Sequence, residues 1–232
     1  TPFGCLPSTA VPSVSYSANS SKVLLEHYQN LSKDDTIYAT ILERKSLPIH
    51  QTGIANLHIA PSHILVSNTD VELTTAIDHR EARLKDQLDK IKAQYDYVII
   101  DCPPALPWLT INAFTASDGI IVVISPGYFE LDSIVQISRT IANVQNMFAP
   151  SLKLLGYLFT MSDQTLASRE SLKILRQTYT DQVFNTVIPR NTDIREAHMK
   201  KQDVFSYNVQ SKSAEAYKQL ISEVFYGEKT IE

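Results

Sequence analysis

Short apolar runs alternate along the chain with longer amphipathic segments. Runs rich in Val, Ile and Leu predict strands, because β-branched residues suit a sheet that is covered on both faces. The predicted strands span residues 57–60, 98–101, 119–124, 154–161 and 183–188. Apolar positions three and four residues apart predict helices. The predicted helices span residues 36–42, about 69–94, 109–116, 131–148, 168–179 and 212–226.

The long helix predicted from residue 69 depends on two local signals. Thr69 and Glu72 have the spacing of a capping box, in which a hydroxyl and a carboxylate satisfy the first amides of a helix. Its apolar face is predicted to include Val71, Leu84, Leu88 and Ile91.

The alternation of strands and helices predicts an α/β protein with a mostly parallel sheet and right-handed crossovers. Residues 1–30 are rich in Ser and Pro and have neither a helical nor a strand period, so we predict an irregular N-terminal segment. Residues 31–232 are long enough for one substantial core and are predicted to form a single α/β domain.

One motif suggests chemistry. Residues 95–104 have the sequence Tyr-Asp-Tyr-Val-Ile-Ile-Asp-Cys-Pro-Pro, in which a buried strand ends in Asp101 and two prolines. Open α/β sheets bind ligands at the carboxyl ends of their strands. A lone carboxylate there can hold hydrated Mg²⁺ beside a nucleotide phosphate. The alternative is a turn Asp after a buried strand, and the motif alone leaves both interpretations open.

Composition narrows the class of protein. The net charge of −4 over 232 residues gives no global attraction to nucleic acid or acidic membranes, so any such contact needs a local basic patch. Two cysteines, Cys5 and Cys102, do not form a disulfide framework, and a reducing cytoplasm fits them. No apolar run approaches the roughly 20 residues of a membrane span. His58, His63, His79 and His198 show no metal-ligand spacing with one another or with the cysteines.

Four segments carry a family resemblance. They are residues 95–134, which begin YDYVIIDCPP, residues 158–163 (LFTMSD), residues 183–191 (VFNTVIPRN) and residues 211–217 (SKSAEAY). In order and approximate spacing they resemble the ParA/MinD family of deviant Walker ATPases, and specifically its ParA (Soj-like) partition branch. The resemblance extends from about residue 36 to residue 225. It implies a doubly wound, mostly parallel sheet of the P-loop NTPase type.

The sequence departs from the family at its N-terminal side. A P-loop needs Gly-x-x-x-x-Gly-Lys-Ser/Thr so that backbone amides and a lysine can hold the phosphates. None of the six glycines here is followed by lysine, and the family's switch I segment has no counterpart. We therefore expect the P-loop strand to be missing or replaced. Loss of the true start from the sequence and natural replacement of the P-loop are both compatible with this pattern.

The resemblance assigns site residues. Asp101 matches the catalytic carboxylate that contacts the Mg²⁺ shell through water, and Cys102, Pro103 and Pro104 match switch II. The residues that match the family's adenine site are Met161, Pro189, Arg190 and Asn191. A thioether and a prolyl ring give flat apolar cover for a base, and an Asn amide can read its edge. The alternatives are a core Met, a structural salt-bridge partner in Arg190 and an ordinary loop.

The resemblance also implies sequence-neutral contacts with DNA phosphates, which are salt-dependent. Asp193 and Gln164–Thr165 stand where close relatives carry basic residues, so compensation must come from other side chains. The candidates are Arg169, Arg195, Lys200 and Lys201. A solvated face of mixed charge is the alternative interpretation.

The function implied by the resemblance is that of a ParA-like partition or cargo-positioning ATPase. Its expected features are an ATP- and Mg²⁺-dependent homodimer, non-specific DNA binding, a ParB-like adaptor that stimulates hydrolysis, and a cytoplasmic, nucleoid-associated location without membrane contact. Without a P-loop the chain is expected to hydrolyse ATP at background rate. The main alternative is a non-enzymatic ParA-like module that binds DNA or a partner. A weaker one is an iron–sulfur carrier or a cobyrinate-type amidotransferase subunit.

Overall fold

The described chain divides into two compact units, residues 1–117 and 118–232. A computed structural model describes residues 11–15, 18–25, 27–62, 66–102 and 107–227. Strands alternate with helices in both units, and most strand pairs are parallel. The predicted α/β class with a mostly parallel sheet is therefore confirmed.

The first unit contains a four-stranded sheet in the order β2–β3–β1–β4. Its strands are β1 (Val11–Ser15), β2 (His50–Gln51), β3 (Leu57–Ala60) and β4 (Ile99–Asp101). Its helices are α1 (Ala18–Leu24), α2 (Ile37–Glu43), α3 (Val66–Thr75), α4 (Arg83–Leu88) and α5 (Pro107–Thr115). β1 runs parallel to both of its neighbours, while β2 pairs antiparallel with β3.

β1 and α1 correct the prediction that residues 1–30 are irregular. β1 lies between β3 and β4 and pairs with both, so this segment is part of the first unit's sheet. β1 was not predicted because Pro12 has no N–H group and is unusual in an interior strand. Pairing with β3 on one side and β4 on the other stabilises an extended segment that the local sequence does not predict. The single domain of residues 31–232 stays a prediction.

The long helix predicted from residue 69 is wrong, because the chain leaves the helix after Thr75. Arg80 Nη1 donates to the carbonyls of Leu73 and Thr74, at 3.4 and 2.7 Å, and so provides hydrogen bonds to carbonyl groups in the last turn of α3. His79 then has a φ of 37°, which ends any helical continuation. α4 and a 3-10 turn at Lys92–Gln94 follow as separate elements.

The predicted capping box and apolar face fail with that helix. Thr69 lies inside α3 rather than at its N-cap. Val71 is 73% exposed, and Leu73 takes the buried position instead. Leu84 and Leu88 are buried as predicted, but on α4.

A polar cluster joins α3 to α5 inside the first unit. The Arg80 guanidinium lies 3.9 Å from the ring centre of Trp108, which is cation–π distance. Asp70 Oδ1 accepts a 2.7 Å hydrogen bond from the backbone N–H of Trp108 and so caps the start of α5. Asn112 Nδ2 donates to the Arg80 carbonyl at 2.6 Å. The end of one helix and the start of the other therefore share one set of side chains.

The second unit contains a three-stranded parallel sheet in the order β5–β6–β7. Its strands are β5 (Gly119–Ile124), β6 (Lys153–Ser162) and β7 (Val183–Pro189). Its helices are α6 (Tyr128–Met147), α7 (Leu166–Tyr179), α8 (Thr192–Met199), α9 (Val204–Tyr207) and α10 (Lys212–Tyr226). All the elements predicted here are confirmed within three residues at each end; α8 and α9 were not predicted.

Each face of this sheet carries a separate core. One core contains Ile124, Ile134, Tyr157, Phe159, Leu175 and Val183, drawn from the strands, α6 and α7. The other contains Leu158, Phe184, Ile188 and Ala216, with partly buried residues of α10 packed against it. Gly156 lets β6 approach β7 closely, because a Cβ there would lie 2.8 Å from the Gln182 carbonyl oxygen. These cores hold the ends of β6 and β7 in place.

Candidate functional site

Asp101 is the last residue of β4 and lies half-buried at its carboxyl end. The Ser20 hydroxyl, in the first turn of α1, donates a 2.6 Å hydrogen bond to Asp101 Oδ2. A hydroxyl and a carboxylate, both hard oxygen ligands, therefore lie together at this strand end. Ser20 was not among the predicted site residues, because a serine in a Ser-rich segment gives no signal until the pairing of β1 fixes its position.

Cys102 follows Asp101 and is unsuited to act as a nucleophile. Burial, and secondarily the negative charge of Asp101, raises the pKa of its thiol to about 12. The thiol therefore stays protonated at neutral pH, which fits its interpretation as a packed small side chain. Pro103 and Pro104, which match switch II in the sequence, lie outside the described residues.

The pairing of β6 with β7 brings Met161 and Pro189 to neighbouring strand ends. Ser162 is the register partner of Pro189, and the Arg190 N–H donates a 2.8 Å hydrogen bond to the Ser162 carbonyl. Met161 has a φ of 52° and is 53% exposed. A left-handed conformation costs energy in a non-glycine residue, and such strain concentrates at functional sites.

Asn191 caps α8, and most of its side chain is already bonded. Its Oδ1 accepts a 2.9 Å hydrogen bond from the Asp193 N–H. Its Nδ2 donates to Ser211 Oγ at 2.9 Å and to Asp193 Oδ2 at 3.4 Å. The amide hydrogens are therefore occupied, whereas the carbonyl oxygen keeps one lone pair for an outside donor.

Arg190 acts on a neighbouring carboxylate. The Thr165 hydroxyl and N–H donate to Asp163 Oδ1 at 2.5 and 3.1 Å, and the Arg190 charge adds to their effect. Together they hold the pKa of Asp163 below its ordinary value. The Arg190 charge contributes less to this shift than the Thr165 hydrogen bonds, and Arg190 forms no ion pair among the described residues. The salt-bridge interpretation of Arg190 therefore stays a prediction.

The four predicted DNA-contacting side chains all lie at the surface of the second unit: Arg169, Arg195, Lys200 and Lys201. Arg169 Nη2 donates to the Gln164 carbonyl at 3.3 Å, and Lys200 Nζ lies 4.7 Å from the centre of the Tyr207 ring. In the described part of the chain none of the four forms a salt bridge with a carboxylate. Their positive charge is therefore not neutralised by direct pairing there.

Two further basic residues on α7 were missed by sequence analysis. Lys173 and Arg176 follow Arg169 at four and seven residues, which puts all three on one flank of the helix, and all three are exposed. That helical spacing is visible in the sequence and could have found them. The basic surface of the second unit therefore extends along α7.

The candidate residues form two groups, one in each unit. Asp101 lies in residues 1–117. The predicted adenine-contacting residues and the basic residues lie in residues 118–232. Among the residues that the structure describes, no group of three or more His, Cys, Asp or Glu side chains could hold a metal ion. A single carboxylate that binds a metal through water does not need such a group.

Comparison with known proteins identifies the family. A model of the AAA domain (AAA_31) matches residues 15–154, which is more than half of the chain. The sporulation initiation inhibitor protein Soj of Bacillus subtilis is 37% identical over 177 residues, which cover 76% of this chain and 70% of Soj. The chain belongs to the ParA/Soj family. The family match begins at residue 15 and therefore includes α1, which sequence analysis had left outside the resemblance.

Solved structures show the ParA/MinD-type P-loop NTPase fold. The crystal structure of cobyrinic acid a,c-diamide synthase from Mycobacterium smegmatis, with bound ADP and magnesium, is 26% identical with a TM-score of 0.73 and covers 95% of this chain and 85% of the synthase. A putative plasmid partition protein from Borrelia burgdorferi B31, bound to AMPPNP, has a TM-score of 0.78 at 19% identity and covers 94% and 87%. The predicted fold type is therefore confirmed.

Across the described ranges of this ParA-like chain, no helix combines the length and apolar character needed to cross a bilayer.

Proposed function

We propose that this ParA-like chain is a partition or cargo-positioning module that binds an adenine nucleotide with Mg²⁺ and binds DNA without sequence preference. The observation that carries this proposal is the convergence of Met161, Pro189 and Asn191 at the ends of β6 and β7. Family membership gives the class of ligand, since the ParA/Soj family consists of ATPases. ATP-dependent homodimerisation, a ParB-like adaptor and a cytoplasmic, nucleoid-associated location are parts of the same proposal.

Met161, Pro189 and Asn191, here called the base side, have side chains whose chemistry suits an adenine ring. The exposed Met161 thioether and the Pro189 ring offer apolar contact to a flat base. The remaining lone pair of Asn191 Oδ1 can accept one hydrogen bond from an exocyclic amino group. The Asn191 amide hydrogens would have to leave Ser211 or Asp193 before they could read a ring nitrogen.

The metal side consists of Asp101 and the Ser20 hydroxyl bonded to it. A bound Mg²⁺ would neutralise phosphate charge, and Asp101 would orient a water of its shell. No glycine in the chain is followed by lysine, so these 232 residues provide no P-loop lysine for the phosphates. We therefore propose nucleotide binding, with ATP hydrolysis at background rate, for the chain as it stands.

The basic surface is the proposed DNA contact. Arg195, Lys200 and Lys201 lie on α8 and the turn after it, and Arg169 begins the basic flank of α7. Lysine and arginine side chains that contact phosphates release counterions, so binding should weaken steeply with salt and show no sequence preference.

Titration calorimetry with ATP and Mg²⁺ tests the nucleotide part. The Met161→Ala variant should weaken binding, while Met147→Ala, a similarly exposed methionine on α6, should leave it unchanged. Asp101→Asn should remove the Mg²⁺ dependence, whereas Asp96→Asn, on the exposed approach to β4, should retain it. No heat of binding in the unaltered chain would refute nucleotide binding. Equal loss in the matched variants would refute its assignment to Met161 and Asp101.

A salt titration of binding to unrelated DNA duplexes tests the second part. Replacing Arg195 and Lys200 by alanine should weaken binding to all duplexes alike and flatten its salt dependence, because two phosphate contacts are lost. Replacing both Lys90 and Lys92 by alanine, at exposed positions of the first unit, is the charge-matched control.

The alternative is a non-enzymatic module that binds DNA or a protein partner and no nucleotide. The occupied amide hydrogens of Asn191 favour this version, because they reduce what the base side can read. DNA binding without any calorimetric response to ATP would select it.

A further inference from the structure

The Asn191 side chain on the base side is held by its neighbours in one orientation. Its Nδ2 donates to Ser211 Oγ at 2.9 Å and to Asp193 Oδ2 at 3.4 Å, which uses both amide hydrogens. Its Oδ1 accepts from the Asp193 N–H at 2.9 Å and keeps one lone pair. Asn191 can therefore offer an acceptor to an outside group, and it has no free donor.

Ser211 is itself fixed by the backbone around it. It is the N-cap of α10, and its hydroxyl oxygen also accepts from the Ser213 N–H at 3.3 Å. Its own N–H donates to the Asn208 carbonyl at 3.0 Å, and the residue is only 2% exposed. A buried acceptor that is anchored in this way can lock the rotamer of the side chain bonded to it.

Asp193 determines which way round the amide lies. Its Oδ2 also accepts from Asn208 Nδ2 at 3.2 Å, so the carboxylate is held from a second side. If the Asn191 amide turned over, its NH₂ group would meet the Asp193 N–H and its oxygen would meet the Asp193 carboxylate. Both contacts pair like with like and are unfavourable.

An amide that only accepts can distinguish the two purines. Adenine carries an amino group, which is a donor, where guanine carries a carbonyl oxygen, which is an acceptor. Asn191 Oδ1 can accept from the adenine amino group, whereas the guanine oxygen would face a second acceptor. A polar group left without a partner costs more than a matched hydrogen bond gains, so guanine is disfavoured.

We infer that Ser211, together with Asp193, is a positioning residue that fixes Asn191 as an acceptor and makes the base side select adenine over guanine. This role rests on the proposed nucleotide binding and gives it a source of base selectivity. Ser211 acts through Asn191 and needs no contact with the nucleotide. Without the Ser211 hydroxyl, one amide hydrogen loses its partner, which raises the energy of the present rotamer and allows others that offer an N–H to guanine.

Paired calorimetric titrations with ATP and GTP, both with Mg²⁺, test this role, because the two ligands differ only in the base. The unaltered chain should bind ATP about tenfold more tightly than GTP. Ser211→Gly should reduce this ratio to about threefold or less, because the hydroxyl acceptor is lost while glycine remains a tolerated N-cap for α10. Ser211→Thr, which keeps a hydroxyl, should retain the ratio of the unaltered chain.

Thr165→Gly is the matched control. Thr165 caps α7, where its hydroxyl accepts from the Ser168 N–H at 3.2 Å, and its other described hydrogen bonds are to Asp163. This change should leave the ATP-to-GTP ratio as it is. An unchanged ratio in Ser211→Gly, or an equal fall in Thr165→Gly, would overturn the role of Ser211 and leave nucleotide binding intact. No heat with either nucleotide in the unaltered chain would overturn both.

A second change at Asn191 tests whether Ser211 acts through it. Asn191→Asp combined with Ser211→Gly should restore the preference for ATP, because a carboxylate has no hydrogen to offer in any orientation and is also a good N-cap. Repulsion from Asp193 should weaken the binding of both nucleotides alike, so the ratio remains the quantity to compare. A ratio that stays as low as in Ser211→Gly alone would contradict action through Asn191.

Discussion

Replacing Glu223 by alanine should loosen the outer edge of β7 and destabilise the second unit. The carboxylate accepts two backbone hydrogen bonds, from Asn185 and Thr186. Glu223 is only half-buried, so we assign about 1 kcal/mol to each bond, below the usual range for charged partners, and about 2 kcal/mol in all. Glu223→Gln should cost about half as much, because its carbonyl oxygen can keep one of the two bonds.

Amide hydrogen exchange is the appropriate assay, since it reports on each strand separately. The amides of residues 185 and 186 should exchange faster in Glu223→Ala, and urea unfolding of the second unit should shift to lower concentration. Glu215→Ala is the control on the same helix. Its only described ion pair, with Lys218 at 4.0 Å, is exposed and should contribute less than about 0.5 kcal/mol. Equal effects of the two variants would refute the capping role of Glu223.

Three further predictions concern packing and ionisation. In a Cys5→Ser background, Cys102 should resist alkylation at neutral pH, and rapid labelling of the folded chain would contradict this. Because the thiol of the unfolded chain deprotonates first, the raised pKa of Cys102 should also lower the stability of the fold as the pH rises from 9.0 to about 12. Gly156→Ala should destabilise the fold by about 1–3 kcal/mol through overpacking, as measured by urea unfolding. Gly53→Ala adds its methyl group to open space and should be near neutral. Equal effects of the two changes would be inconsistent with a close approach of β6 to Gln182 at Gly156. Arg83→Met should lower the free energy of unfolding by about 2 kcal/mol, because the buried guanidinium donates to the Ile41 carbonyl at 2.8 Å and to Asp78. Unfolding followed by Trp108 fluorescence measures this, and an unchanged transition midpoint would exclude that contribution.

Strands with a strong local signal were predictable from the sequence. Leu57–Ala60 and Gly119–Ile124 have the predicted bounds, because both segments are mostly apolar and the second is rich in β-branched residues. β1 was not predictable, because Pro12 and the surrounding serines disfavour a strand and its order comes from two distant partners. Strand pairing is a non-local interaction, and local composition does not contain it.

Helix ends were harder to predict than helix faces. The apolar spacing around Leu84 and Leu88 is real, but no local pattern indicates that the Arg80 side chain would end α3 first. α8 and α9 are short, yet each begins with a side-chain cap, at Asn191 and Asp203. An Asn or Asp at the N-cap position was the available signal.

The residues of the candidate site stay a prediction, and only part of their contacts could be predicted from the sequence. The convergence of Met161 with Pro189 follows from the parallel pairing of β6 and β7, which the alternation of strands and helices predicts. The left-handed backbone of Met161 and the bonds of Asn191 to Ser211 depend on packing, so no sequence pattern reports them.

The stacking of Arg80 on Trp108 has a consequence for how the first unit opens. The same guanidinium that satisfies the last turn of α3 lies against the first turn of α5, whose amide is held by Asp70. Neither helix can fray at this junction without releasing the other. We expect the two to melt as one cooperative block, with the lone indole emission changing in step with amide exchange in both.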